Sequence, residues 1–153
     1  MGGMVSAAFD GEGVATSARD IVSDGILRGY VLGSYSARRL DMQTTGNAGG
    51  VHNLTIDTGD QDLEQMISGI DEGFLVTELI GFGINNVTGD YSRGAAGLWI
   101  ENGEIAYPVE EVTVAGNLKD IFQNIAAIGN DVDPRRSTRC GSILVEGLTI
   151  AGD

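Results

Sequence analysis

Asn102-Gly103 stands between two runs of strand-forming residues, and it constrains this chain more than any other pair. A two-residue β-hairpin turn of type I′ needs φ > 0 at both central positions, and Asn-Gly is the pair that tolerates this best. Turning there sets Glu101 opposite Glu104, Ile100 opposite Ile105, Leu98 opposite Tyr107 and Ala96 opposite Val109. Side chains alternate between faces, so Ala96, Leu98 and Ile100 share an apolar face and Trp99, Glu101 and Glu104 take the other. The polar stretch Thr88, Gly89, Asp90, Ser92, Arg93, Gly94 precedes the first strand. It is expected as a loop held at the root of the hairpin, where a rigid scaffold displays recognition residues.

The rest of the chain is punctuated by glycine, with 24 Gly against 2 Pro. That balance suits tight turns between short strands. Asp20 to Leu32 reads as a second hairpin, turning at Asp24-Gly25. Ser34 is placed to cap a short helix through Leu40. Asp60 is placed to cap another, whose Leu63, Met66, Ile67 and Ile70 recur at helical spacing. Asn117 is expected to cap the best-patterned helix, with Leu118, Ile121, Phe122, Ile125 and Ile128 on one face and Gly129 just past its end. His52 to Ile56 suits a strand, Gly73 to Ile80 a mostly buried strand, and Ser142 to Ile150 a final strand. The expected class is α+β: a mostly antiparallel, curled or barrel-like sheet with two or three helices. A chain of 153 residues supports one domain, 1–153, and little more.

Charge excludes one class of partner. Nine basic against 22 acidic side chains leave a net charge of −13, and a nucleic-acid surface needs clustered Lys and Arg. Apolar runs fall short of the ~18 residues of a membrane span. One cysteine, Cys140, rules out an internal disulfide and suits a reducing cytoplasm.

Several stretches resemble one family. GDYSRGAAGLWIENGEIAYPVEE from Gly89, FDGEGVATSARDIVSDGILRGYVLGSYSARRL from Phe9 and TTGNAGGVHNLTI from Thr44 are similar to the PmbA/TldD proteins. So are GFLVTELIGFGINNVTGDYSRGA from Gly73, AGNLKDIFQNI from Ala115 and RCGSILVEGLTIAG from Arg139. Within the family, SYSARRL, TELIG and RCGSILVEGLTIAG resemble the PmbA branch, also called TldE. The resemblance implies zinc-dependent peptide processing and maturation, with PmbA proteins described as modulators of DNA gyrase and of microcin processing. It implies a dimeric partnership with a TldD-type subunit, or self-association, around a peptide substrate. In that scheme the partner supplies the zinc, through an HExxxH helix and a later cysteine, and this chain forms chamber walls and dimer contacts. Family members are much longer and carry a separate amino-terminal domain. The chain is therefore expected to be the carboxy-terminal part of a longer protein, or a short member.

The residues themselves leave other readings open. A single histidine, His52, and no HExxxH cannot supply a three-ligand zinc site, even with Cys140, unless a carboxylate or another chain joins. The resemblance sets Cys140 where the sibling branch has a metal ligand. A small buried side chain and a thiol activated by Arg135, Arg136 and Arg139 are the other readings of Cys140. His52 is a structural hydrogen-bonding residue, or a general base if a hydroxyl lies in reach. TTGNAGG offers amides that can cradle an anion, but no Walker or GxGxxG pattern accompanies it. Glu101 with Glu104 is expected to be solvated, and Glu110 and Glu111 are expected on opposite strand faces. Thr88, Asp90, Ser92 and Arg93 are the candidate contacts to substrate or partner, with Asp90 and Arg93 expected to pair. Against the subunit reading stand a metal-independent binding or scaffold protein of the same fold and a hydrolase working through His52.

Overall fold

The computed structural model describes residue 3 and residues 5–152. In chain order its elements are β1 (Val22–Ser23), β2 (Ile26–Leu27), α1 (Ser34–Arg39), β3 (Leu54–Thr55), α2 (Leu63–Ser68), β4 (Glu72–Ile80), β5 (Asp90–Glu101), β6 (Glu104–Asn117), α3 (Leu118–Gln123), β7 (Ile125–Ile128), β8 (Thr138–Arg139), β9 (Ile143–Val145) and β10 (Thr149–Ala151). The class is α+β with mostly antiparallel pairing. The chain divides into two compact units, one of Met1–Ile56 with Asp133–Arg139, the other of Asp57–Val132 with Cys140–Asp153. No helix among the described residues is long and apolar enough to cross a membrane.

In the first unit the β1–β2 hairpin turns at Asp24 and Gly25, with φ of 54° and 71°, as the Asp-Gly pair requires. β3 and β8 pair in parallel. α1 begins at Ser34, but its cap is Gly33, which has no side chain to offer. The Glu12 carboxylate fills that role from a distance, accepting the Ser34 amide at 2.8 Å. The Ser34 side chain first, and then this amide, hold the Glu12 carboxyl below its usual range.

The second unit is built on a four-stranded sheet in the order β10-β6-β5-β4. It is open, ending at β10 and β4, rather than closed into a barrel. The β5–β6 hairpin turns at Asn102 (φ 51°) and Gly103 (φ 80°), with Glu101 opposite Glu104 and Ile100 opposite Ile105. Beyond those two pairs the expected register is corrected. Trp99 faces Tyr107, Leu98 faces Pro108 and Gly97 faces Val109, because Ala106 is an extra residue in β6. A second irregularity sets Ala96 against Glu110 and Glu111, and Glu111 takes φ of 57°. Both glutamates are exposed, and the bulge interrupts the simple alternation from which their opposite faces were expected.

The core cluster is Ala95, Val112 and Val114, packed by Phe74, Tyr91, Val109, Leu148 and Ile150. Alternation puts Ala95 on the face of Gly97 and Trp99, not that of Leu98 and Ile100. Ile100 is nevertheless only 2 % exposed. β5 is thus central and buried on both faces, which corrects the single apolar face expected from the sequence.

Three further expectations change. β4 is an edge strand whose residues from Val76 onward are exposed, not a mostly buried one. α3 stops at Gln123, and Ile125–Ile128 instead pair with Ile143–Val145. Gly129 extends that ladder, donating its amide to the Ser142 carbonyl at 2.7 Å. The terminal strand is split at Gly147 (φ 76°), so β9 pairs with β7 and β10 with β6. Two caps are as chemistry demands. Asp62 rather than Asp60 caps α2 in a reciprocal box with Gln65, and the Asn117 side chain accepts the Lys119 amide at the start of α3.

Candidate functional site

The stretch expected as a loop is mostly strand. Asp90, Ser92 and Arg93 lie in β5, and only Thr88 and Gly89 remain in the turn before it. The turn is tied internally. The Asn85 side-chain oxygen accepts the amides of Val87 and Thr88 at 3.0 and 3.2 Å. The Thr88 hydroxyl donates to Asp90 Oδ2 at 2.6 Å, and Asn117 Nδ2 donates to the Thr88 carbonyl at 3.1 Å and to Asp90 Oδ1 at 3.4 Å. The Leu118 amide closes the set on the Gly89 carbonyl at 2.7 Å. Asn117 therefore does two things at once: it caps α3 and pins the turn.

Asp90 spends both carboxylate oxygens inside this network. The expected Asp90–Arg93 ion pair does not form. Arg93 instead donates from a terminal nitrogen to the Leu79 carbonyl at 3.1 Å, tying β5 to the end of β4, and its Nε is buried without a hydrogen-bond partner. Ser92 is exposed. Of the four candidates, Thr88 and Asp90 bond to each other, Arg93 faces β4, and Thr88, Asp90 and Ser92 are all exposed.

One amide of the TTGNAGG segment, that of Ala48, meets an anion, and the anion is the protein's own. Asp10 is 4 % exposed. Its Oδ2 accepts the Ala48 amide at 2.9 Å, and its Oδ1 accepts the amides of Glu12 and Val14 at 2.9 and 3.0 Å. The Gly11 amide returns a bond to the Ala48 carbonyl at 3.2 Å. The Ala48 amide, more than any other group, holds the Asp10 carboxyl below its usual range, with smaller help from Val14, Glu12 and nearby His52. Sequence reasoning missed Asp10. Its local signal, an Asp before Gly11-Glu12-Gly13, reads only as a turn.

His52 is half-buried, and its Nε2 is buried with no hydrogen-bond partner. No serine or threonine hydroxyl among the described residues engages that nitrogen, so the base–nucleophile pair of a hydrolase is not formed. Cys140 is half-buried as well. Burial first, and then the neighbouring Asp131 carboxylate, push its thiol above the usual range, opposite to the lowering expected from the arginines. Asp131 itself is held low by Ser142, which donates its hydroxyl at 2.6 Å and its amide at 2.9 Å. Arg135 and Arg136 turn to Asp133, at 2.8 and 3.7 Å, and the Arg135 hydrogen bond takes the Asp133 carboxyl down to about 2.

Zinc needs deprotonated soft donors converging in three or four positions. Among the described residues no three His, Cys, Asp or Glu side chains converge to hold a metal ion. The single thiol is biased toward its protonated form. These donors do not fit a metallopeptidase centre.

Residues 1–152 match the family model described as the PmbA/TldA metallopeptidase C-terminal domain. The Metalloprotease PmbA of Escherichia coli O157:H7 is 53% identical over 150 residues, a match covering 98% of this chain and 33% of that protein. The Metalloprotease PmbA homolog of Haemophilus influenzae is 46% identical over 153 residues, covering 98% of this chain and 34% of its own length. This chain thus spans about a third of the curated relatives it matches. Among solved structures, a protein of Bacteroides thetaiotaomicron proposed to be a modulator of DNA gyrase superposes with a TM-score of 0.90 at 37% identity, over 98% of this chain and 34% of that one. TldE of Thermococcus kodakarensis gives a TM-score of 0.80 at 28% identity, over 95% and 36%.

Proposed function

This chain belongs to the PmbA/TldD family as its C-terminal domain, and on that premise we propose that it serves as a non-catalytic part of a TldD/TldE-type peptide-processing assembly. In this reading a TldD-type subunit supplies the zinc and the hydrolytic water. This chain supplies walls of the substrate chamber and dimer contacts, in the cytoplasm.

The observation that carries the reading is the donor set. A family whose members are named metalloproteases is represented here by one unpartnered imidazole and one thiol pushed up in pKa. A second observation favours assembly. Phe82 and Val87, in the connection between β4 and β5, are fully exposed, beside the half-exposed Ile80 and Ile84. Such an apolar cluster marks an interaction surface.

The test is co-purification of this chain with a TldD-type subunit, followed by zinc analysis and peptide turnover. Zinc and turnover are expected in the complex and with the partner. Failure of the two to associate, or turnover by this chain alone that is lost on His52→Ala, would overturn the proposal.

A further inference from the structure

β4 is a long strand with one free side. It pairs with β5, and no other strand among the described residues pairs with it. Natural sheets blunt such edges with Lys, Pro or a bulge. β4 runs Glu72-Gly73-Phe74-Leu75-Val76-Thr77-Glu78-Leu79-Ile80, with neither Lys nor Pro. Its one irregularity, at Thr77, leaves Glu72–Val76 as a continuous stretch. Val76, Leu79 and Ile80 are 37%, 40% and 52% exposed.

A groove of about 610 Å³ runs along this stretch. Asp71 to Val76 line it, Met66, Ile67, Leu144 and Leu148 contribute apolar walls, and Ile100 of β5 and Val114 of β6 carry it from β4 onto the neighbouring strands. Every charged residue lining it is acidic: Asp71, Glu72 and Glu146.

Charge selects the occupant. A second copy pairing β4 to β4 would bring Glu72 and Glu78 against the same carboxylates, between chains each of net charge −13. Like charges across a strand pair are destabilising. A segment bearing Lys or Arg meets the opposite condition. We propose that β4 and its groove receive an extended peptide carrying Lys or Arg, added as a further antiparallel or parallel strand. Main-chain hydrogen bonds supply affinity, and alternate apolar side chains enter the groove. Asp71, Glu72, Glu78 and Glu146 supply the charge preference. The inference rests on the peptide-handling reading above and names the chemistry of its ligand.

The test titrates the 153-residue chain with fluorescent decapeptides and maps amide hydrogen exchange. One peptide alternates Val and Lys, one alternates Val and Glu, and a third is the Lys peptide N-methylated at alternate amides. The Lys peptide is expected to bind and to protect residues 72–80. The Glu peptide is expected to bind at least about tenfold more weakly, and the N-methylated one not to bind. The double variant Glu72→Lys/Glu78→Lys, changed only at exposed positions, is expected to invert the preference. No binding of the Lys peptide, protection outside β4, indifference to N-methylation, or β4 protection through self-association without peptide would each overturn the inference. Association with a TldD-type subunit without peptide protection of β4 would remove this inference and leave the proposed function standing. The converse result would do the opposite.

Discussion

Asp10 and Ala48 are joined by a hydrogen bond of 2.9 Å that spans 38 residues of sequence. It fastens the Gly-rich turn after Asp10 to the Thr44–Gly50 loop. Asp10 also accepts two amides from its own turn, so one carboxylate organises both segments. Its folded pKa is depressed below the ordinary value of 3.8. Stability from such a group is present in full above the unfolded pKa and is lost as pH falls through the folded one. The first unit is therefore expected to lose stability below about pH 4. Asp10→Asn should flatten that acid dependence and lower the unfolding midpoint at pH 7 by roughly 5 °C. Acid titrations of both proteins, followed by circular dichroism, check this.

Glu111 sits at φ of 57° in a bulge, where an L side chain is strained and glycine is not. Glu111→Gly is expected to be neutral or to stabilise by up to ~1 kcal/mol, and Glu111→Val to destabilise by about 1–2 kcal/mol. Urea unfolding measures both. Equal destabilisation by the two would show that the conformation is not what matters there.

Gly97 leaves no room for a methyl group. A Cβ there would collide with the Leu75 carbonyl oxygen, across the β4–β5 pairing. Gly97→Ala is expected to cost about 1–3 kcal/mol and to raise hydrogen exchange in β4 before β6. A variant as stable as the parent, with unchanged β4 protection, would refute this packing account.

Arg93→Glu removes the bond to the Leu79 carbonyl and reverses a charge beside the exposed end of β4. The far-ultraviolet spectrum is expected to persist, while co-purification with a TldD-type subunit or peptide capture falls about tenfold or more. Unchanged assembly and capture would take Arg93 off the functional surface.

Purified alone, the chain is expected to hold less than one zinc per molecule after dialysis, because three or four good ligands do not converge among the described residues. Elemental analysis giving one tightly held zinc per chain would contradict the donor argument.

Turns were legible in the sequence wherever backbone conformation dictates residue type. Asn102-Gly103 and Asp24-Gly25 fall where φ is positive at both positions. The bulges at Ala106 and Glu111 were not legible, since neither residue signals an extra position and the register is decided by pairing along the whole ladder. The apolar spacing from Leu118 to Ile128 fits a helix, but pairing with Ile143–Val145 claims its second half. At the candidate site, Asn117 was visible as a cap. Its hold on Thr88 and Asp90 was not, because that contact joins two strand ends far apart in sequence. Asp10 was hidden for the same reason.

The parallel pair of Leu54–Thr55 with Thr138–Arg139 closes the first unit around a chain excursion that includes nearly all of the second. Local hairpins form before such distant partners meet. The β5–β6 ribbon is therefore expected to gain protection early in refolding. The seam between residues 54 and 138 should be the late, slow step, so the first unit spends longest as an incomplete intermediate.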